Sequence, residues 1–351
     1  MTLRMWTGAL LIAGCADPAL AEGPADVVLR GGTVVGVGRT DLVLRGGKIT
    51  ERGPGAGPGL PAVDVTGQFL VPAFIDSHVH FAYLEGAAGM ADGGVVAAVD
   101  LAAPLAAIGG PTAPVRVLWS GPMITAPGGY PLNSWGAAGY GLPVTTESEA
   151  AAAVDTLKGR GAGVIKLAVT APPTVSDPAM AAAAAAAHAG GLQVAAHALG
   201  DGDSARAAAA GADVLAHTPV ETLSDATVEA WRGKAVVSTL AAFGGSPQAV
   251  ENLRRLRASG VTVLYGTDFG NTRTAGIDAA EIALLVAAGL DGRAILEAGT
   301  SAPAAWWGWT DLGALETGKS ASLLVLPRDP LLDPGALAAP SQVWLEGARR
   351  R

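Results

Sequence analysis

The stretch Val71-Pro-Ala-Phe-Ile-Asp-Ser-His-Val-His80 constrains this chain more than any other. Phe74 and Ile75 predict a buried strand, and it ends in two histidines one residue apart. Side chains alternate along a strand, so His78 and His80 face the same way. Two neutral imidazoles on one face can share a metal ion. His-x-His alone is also compatible with ordinary packing, so the other histidines have to decide.

From Ala73 to Asp311, apolar runs alternate with Ala-rich helical segments. Strands are expected at 74–80, 95–101, 115–121, 164–169, 193–198, 214–218, 235–240 and 262–268. Helices are expected at 147–160, 178–189, 204–211, 247–259 and 279–289. Such near-continuous apolar strands suit a sheet covered on both faces. The fold class expected is α/β, a (β/α)8 barrel of the usual size of about 250 residues. Short strands with Gly-Gly turns at 26–70, and more at 321–326 and 342–345, predict a small discontinuous β-sandwich domain. Its expected limits are 22–72 plus 312–351, flanking a barrel at 73–311.

Four of the five histidines end expected strands: His78, His80, His197 and His217. Barrel active sites sit at the C-terminal strand ends, so these four point to one mouth. Gly266-Thr-Asp268 adds a carboxylate at the same level. Lys166 sits inside the apolar run Val164-Ile-Lys-Leu-Ala168, where an unpaired ammonium is costly, so it must be partnered or chemically changed. His188, on the Ala-rich helix, reads as a surface residue.

Composition narrows the alternatives. Hydrophobic residues make up 50% and charged residues 15%, which excludes a disordered chain. The net charge of −8 argues against a nucleic-acid partner. Arg4 followed by the apolar Met5–Ala13 fits a signal-peptide core and is too short for the roughly 20 residues of a membrane span. Ile12-Ala-Gly-Cys15 resembles a bacterial lipobox, with Cys15 as the lipidated residue, and Ala19-Leu-Ala21 resembles an ordinary cleavage site. The expectation is a signal at 1–21 and export, either to the periplasm or as a lipoprotein tethered to the membrane. Cys15 is the only cysteine, so no intramolecular disulfide can form.

Taken together, His78-x-His80, Lys166, His197, His217 and Asp268 resemble the amidohydrolase superfamily with a binuclear metal site. The entry VPAFIDSHVH and the late Gly318-Lys-Ser-Ala-Ser-Leu-Leu-Val-Leu326 share the resemblance. It implies that CO₂ carbamylates Lys166, whose new carboxylate bridges two divalent metals. His78, His80 and Asp268 would complete one metal's ligands, and His197 and His217 the other's. Zinc suits this donor set, with manganese, cobalt or iron left open. A metal-bridging hydroxide would attack the substrate, and Asp268 would act as general base and then acid.

Within that superfamily the chain looks like the imidazolonepropionase-like and Xaa-Pro or Xaa-Arg dipeptidase-like hydrolases, through the loop Ile124–Pro131. Relatives often carry His where this chain has Tyr130, which makes Tyr130 a substrate-contact candidate. Imidazolonepropionase itself uses one metal and lacks the lysine, so Lys166 argues against that reaction. Arg273 is a candidate partner for a substrate carboxylate, and Tyr83 a candidate for the mouth. Trp306, Trp307 and Trp309 read as packing near the domain junction, and Asp201-Gly-Asp203 as a helix cap.

The expected function is hydrolysis of an amide, in a small peptide or an N-acyl amino acid. A lactone, carbamate or organophosphate ester on the same site is the second reading. A non-catalytic envelope binding lipoprotein is the third, which has no need of all six metal-site residues. Self-association into a homo-oligomer is left open.

Overall fold

A computed structural model describes residues 26–170 and 172–351. The expected signal segment, with Cys15, lies outside the described residues.

Five strands come first: β1 (Val27–Val34), β2 (Gly38–Arg45), β3 (Lys48–Arg52), β4 (Ala62–Asp64) and β5 (Phe69–Pro72). The alternating unit follows. It runs β6 (Phe74–Val79), α1 (Ala87–Asp92), β7 (Val95–Asp100), β8 (Arg116–Trp119), β9 (Met123–Thr125) and β10 (Gly141–Pro143). It continues through α2 (Glu147–Gly159), β11 (Val164–Ala168), α3 (Asp177–Ala189), β12 (Gln193–His197), α4 (Asp201–Ala209) and β13 (Val214–Leu215). Then come α5 (Asp225–Ala230), β14 (Ala235–Val237), α6 (Pro247–Ala258), β15 (Thr262–Leu264), α7 (Ala279–Ala287), α8 (Gly292–Gly299) and α9 (Ser301–Trp306). The chain closes with β16 (Leu323–Leu326), β17 (Gln342–Leu345) and β18 (Ala348–Arg349).

The first five strands and the last three share one sheet of eight, ordered β18-β17-β16-β5-β1-β2-β3 with β4 beside β1. The middle strands form two parallel sheets, β6-β7-β8 and β10-β9-β11-β12-β13-β14-β15. Backbone bonds link these sheets at both ends. The Ser77 N–H donates to Tyr265 O at 2.8 Å and the His80 N–H to Phe269 O at 2.7 Å. At the other end the Gly163 N–H, just before β11, donates to Trp119 O of β8 at 2.9 Å. The architecture is α/β, with parallel strands in the middle and a further sheet drawn from both chain ends.

Alternation along the strands sorts the core into two parts. Ile165 and Leu167 pack with helix residues such as Leu157 and Ala183, whereas Val164 packs inward with Ala195, Val214, Ala235 and Leu264. Lys166 is two residues from Val164 and His197 two from Ala195, so both point inward by strand geometry. Trp307 joins the inner cluster, and its indole N–H donates to Ser77 Oγ at 3.1 Å.

One expectation needs correction. Gly200, not an aspartate, is the N-cap of α4, with no side-chain cap bond. Asp201 instead accepts from the Ser224 N–H at 2.9 Å, and Asp203 from Thr170 Oγ1 at 3.2 Å. Both carboxylates lie in the first turn, where the helix dipole favours them, but their oxygens tie neighbouring loops.

Candidate active site

His78 lies in β6 and His80 follows it; both are buried. Nδ1 of His78 is 2.7 Å from Ala216 O, and Nδ1 of His80 is 3.4 Å from Ala102 O. A carbonyl only accepts, so each Nδ1 carries the proton and each Nε2 presents a lone pair. Those two Nε2 atoms stand 3.2 Å apart, and Asp268 Oδ1 is 3.1 Å from that of His80 and 3.7 Å from that of His78. Three electron-rich atoms facing each other repel unless a cation lies among them. The donor atoms of His78, His80 and Asp268 all fall within 4.8 Å of one another, and the set fits a divalent ion.

The other histidines stand beside this group. The rings of His78 and His217 have centroids 4.3 Å apart, and those of His197 and His217 are 4.9 Å apart. Thr239 Oγ1, 3.0 Å from Nδ1 of His217, orients that ring. Nδ1 of His197 and Nζ of Lys166 are buried without a hydrogen-bond partner among the described residues. Buried polar atoms are normally paired, so two orphans beside one cluster mark a place for a ligand.

Charge follows burial. His78, His197 and His217 are held well below the ordinary imidazole range, first by burial and then by cationic neighbours including Lys166. They stay neutral, as metal ligands must be. Burial also pushes Lys166 down to about 7, with Asp268 and Asp100 pulling against it.

Asp268 sits in the left-handed region at φ 56, held by its N–H on His78 O at 2.9 Å. Asn271 Nδ2 donates to its Oδ1 at 3.1 Å. Two residues earlier, a Cβ on Gly266 would come within 2.3 Å of Val237 Cγ1, so only glycine lets this segment approach β14 and β6.

A cavity of about 290 Å³ opens above these groups, lined by Met123, Tyr130, Trp135, Leu199 and Phe243 besides the site residues. Tyr130 stacks on His197, centroids 4.4 Å apart, and its hydroxyl accepts from Trp135 Nε1 at 2.9 Å. Burial pushes this phenol up to about 12, so it keeps its proton. Tyr83 is exposed and packs edge-on against Trp135, while Arg273 is exposed and not among the residues lining the cavity. His188 is half exposed and lies 2.9 Å from Asp213 on the outside.

Several site residues carried weak signals in the sequence. Asp76 and Asp100 are buried and pushed up to about 7 and about 6 by burial. Asp76 accepts from Thr267 Oγ1 at 2.6 Å, and Asp100 from the Phe81 N–H at 2.8 Å. A carboxylate at the end of an apolar run was the available cue. Trp135 and Asn271 lie in turns and Phe243 in a single 3-10 turn, Ala241–Phe243, where no periodic pattern marks them.

Known proteins resemble this chain in sequence and fold. An uncharacterized protein of Mycobacterium tuberculosis is 30% identical over 241 residues, covering 60% of this chain and 64% of that protein. The chain thus spans less than two thirds of the length of such curated relatives. A Xaa-Pro dipeptidase with bound methionine shares the fold at TM-score 0.79 and 22% identity, over 92% of this chain and 99% of that one. A prolidase complexed with N-methylphosphonate-L-proline does so at TM-score 0.75 and 22% identity, over 92% and 98%. The Amidohydrolase family model matches residues 69–347, the span that holds every candidate ligand, and the chain belongs to that family.

Proposed function

We propose that this protein is a metal-dependent hydrolase that cleaves the C–N bond of a small amide. The observation that carries the reading is the convergence of two imidazole lone pairs and the Asp268 carboxylate beside an orphaned Lys166 Nζ. In this reading the linked parallel strands close into one (β/α)8 barrel over 73–311, and 22–72 with 312–351 make the accessory β domain.

His78, His80 and Asp268 would hold one ion and His197 and His217 another, zinc suiting the mixed nitrogen and oxygen donors. When bound, such ions acidify water and polarise a carbonyl oxygen. Lys166, carbamylated, would supply a carboxylate to help hold them. Its amine nitrogen, neutral in part near pH 7, bonds to the carbon of CO₂ and loses a proton to solvent. Carbamylation would turn an ammonium that is costly to bury into an anion suited to hold divalent ions. Asp268 takes the proton of the attacking water and passes it to the departing nitrogen. Tyr130, whose oxygen already accepts from Trp135, keeps its own proton to donate to the substrate carbonyl.

Two measurements test this reading. Elemental analysis of zinc-loaded protein should give close to two ions per chain. Asp268→Asn should lower amide hydrolysis by roughly 10²-fold or more. Asparagine tolerates the left-handed backbone that Asp268 adopts, so the fold survives the change. Undiminished turnover in that variant would reject the assignment of Asp268.

A further inference from the structure

We infer that the substrate of this site is a neutral amide without a carboxylate, whose aromatic flank lies against Tyr130, Trp135 and Phe243. The inference rests on the hydrolytic reading above and narrows it.

The cavity wall is apolar and aromatic; its polar members are the histidine rings, Tyr130 Oη, Asp268 and Asn271. Among the described residues neither lysine nor arginine lines it. Lys166 is fully buried outside that lining, and Arg273, on the loop after Asp268, is exposed and not part of it. Among the described residues Asp268 is thus the one acidic side chain lining the cavity. A carboxylate on the substrate would leave water beside a second carboxylate with no guanidinium or ammonium to pair with, an arrangement that burial penalises heavily.

Positive features point the same way. Trp135 stands against Tyr130, Tyr140 and Tyr83, with centroids 6.2, 5.2 and 5.4 Å away, and Phe243 stands edge-on to His217 at 4.9 Å. Aromatic walls of this kind take a ring in edge or offset contact. The volume, about 290 Å³, is at the small end of ligand sites, which run from roughly 300 to 1,000 Å³. One ring and a short acyl group match that space.

The test compares acetanilide with N-acetyl-4-aminobenzoate, which share ring and scissile bond and differ by one carboxylate. With zinc-loaded protein, kcat/KM should favour acetanilide by at least tenfold. Calorimetric binding of the same pair to the metal-free unsubstituted protein, which keeps Asp268 and does not turn over, should show the same preference. That preference without turnover in the unsubstituted enzyme would sink the hydrolytic reading and leave the inference standing. Equal values, a preference for the carboxylate, or no binding of either compound would overturn it. Leu199→Arg, which puts a cation in the wall, should move the ratio at least tenfold toward the carboxylate; an unchanged ratio would count against the inference. A tenfold loss for the carboxylate member alone in Arg273→Ala would also overturn it, because Arg273 would then be reaching the substrate.

Discussion

Lys166 is the side chain on which burial and chemistry conflict most sharply. Fully buried, with Nζ unpartnered, it is pushed from 10.5 down to about 7. An unfolded chain binds the proton up to 10.5, while the metal-free native chain sheds it near 7. Between those values the unfolded state holds more protons, so stability rises with pH. The window from about 7.5 to 9.5 isolates the effect, since Asp76 and Glu281 titrate at about 7, Asp100 at about 6 and Tyr130 only near 12. Urea unfolding of metal-free protein should show a gain of up to about 1.4 kcal/mol per pH unit there. Lys166→Met should flatten it, and an unaltered slope in that variant would assign the gain elsewhere. In the presence of zinc and bicarbonate, Lys166→Ala should lose metal, and short carboxylic acids should restore part of it. The sequence exposes this residue and the strand-end histidines because charge inside apolar runs is conspicuous. Trp135 and Phe243 escape it, because which loop folds over a cavity depends on packing that no local pattern records.

At the level of elements, strands were easier to find than to end. The apolar run 262–268 becomes a strand only over Thr262–Leu264, and the run 214–218 only over Val214–Leu215. Beyond those points the backbone leaves its ladder for other partners: the Tyr265 N–H donates to Ala298 O of α8 at 2.8 Å and the Val220 N–H to Leu199 O, in a loop, at 2.9 Å. Hydrophobicity continues because the segment is still buried, so composition alone overshoots the end. Helix starts were more legible: Thr146 caps α2 in a box with Glu149, and Ser176 caps α3 ahead of Pro178. Glu281 of α7 shows what remains hidden. It is fully buried, accepting from the N–H groups of Leu240 at 3.0 Å and Ala241 at 2.7 Å, and so pins the loop after β14. Burial pushes it from 4.5 up to about 7 despite those bonds. A raised carboxyl contributes stability below 4.5 that is lost as pH rises through about 7. Stability should therefore fall between pH 5 and 7.5, and Glu281→Gln should reduce that fall by up to about 3 kcal/mol. Asp76, also near 7, keeps the remainder. An equally steep fall in the variant would show that Glu281 is not responsible.

For the molecule as a whole, the question is what fixes the closing segment of the chain to its α/β middle. Two kinds of contact compete. Arg116, at the start of β8, pairs with Asp311 and Glu346, both at 2.7 Å, but the three side chains are 33%, 42% and 50% exposed. Ion pairs that wet contribute about 0–1 kcal/mol. Gly292, at the start of α8, lies against the backbone of the segment leading from β16 toward β17. A Cβ there would come within 2.1 Å of Pro330 O and 2.7 Å of Leu331 Cα. Backbone cannot rotate away as a side chain can, so Gly292→Ala forces the helix and the segment apart. Overpacking of that kind costs typically 1–3 kcal/mol. The helical position itself favours alanine over glycine by up to about 1 kcal/mol, which offsets only part of the loss. Close packing should thus outweigh the charges. In urea unfolding at neutral pH, Gly292→Ala should lower the midpoint further than Arg116→Met, and raising the salt should narrow the difference between wild type and Arg116→Met only. If Arg116→Met proved the more destabilised, electrostatics rather than backbone contact would be what holds the chain's end in place.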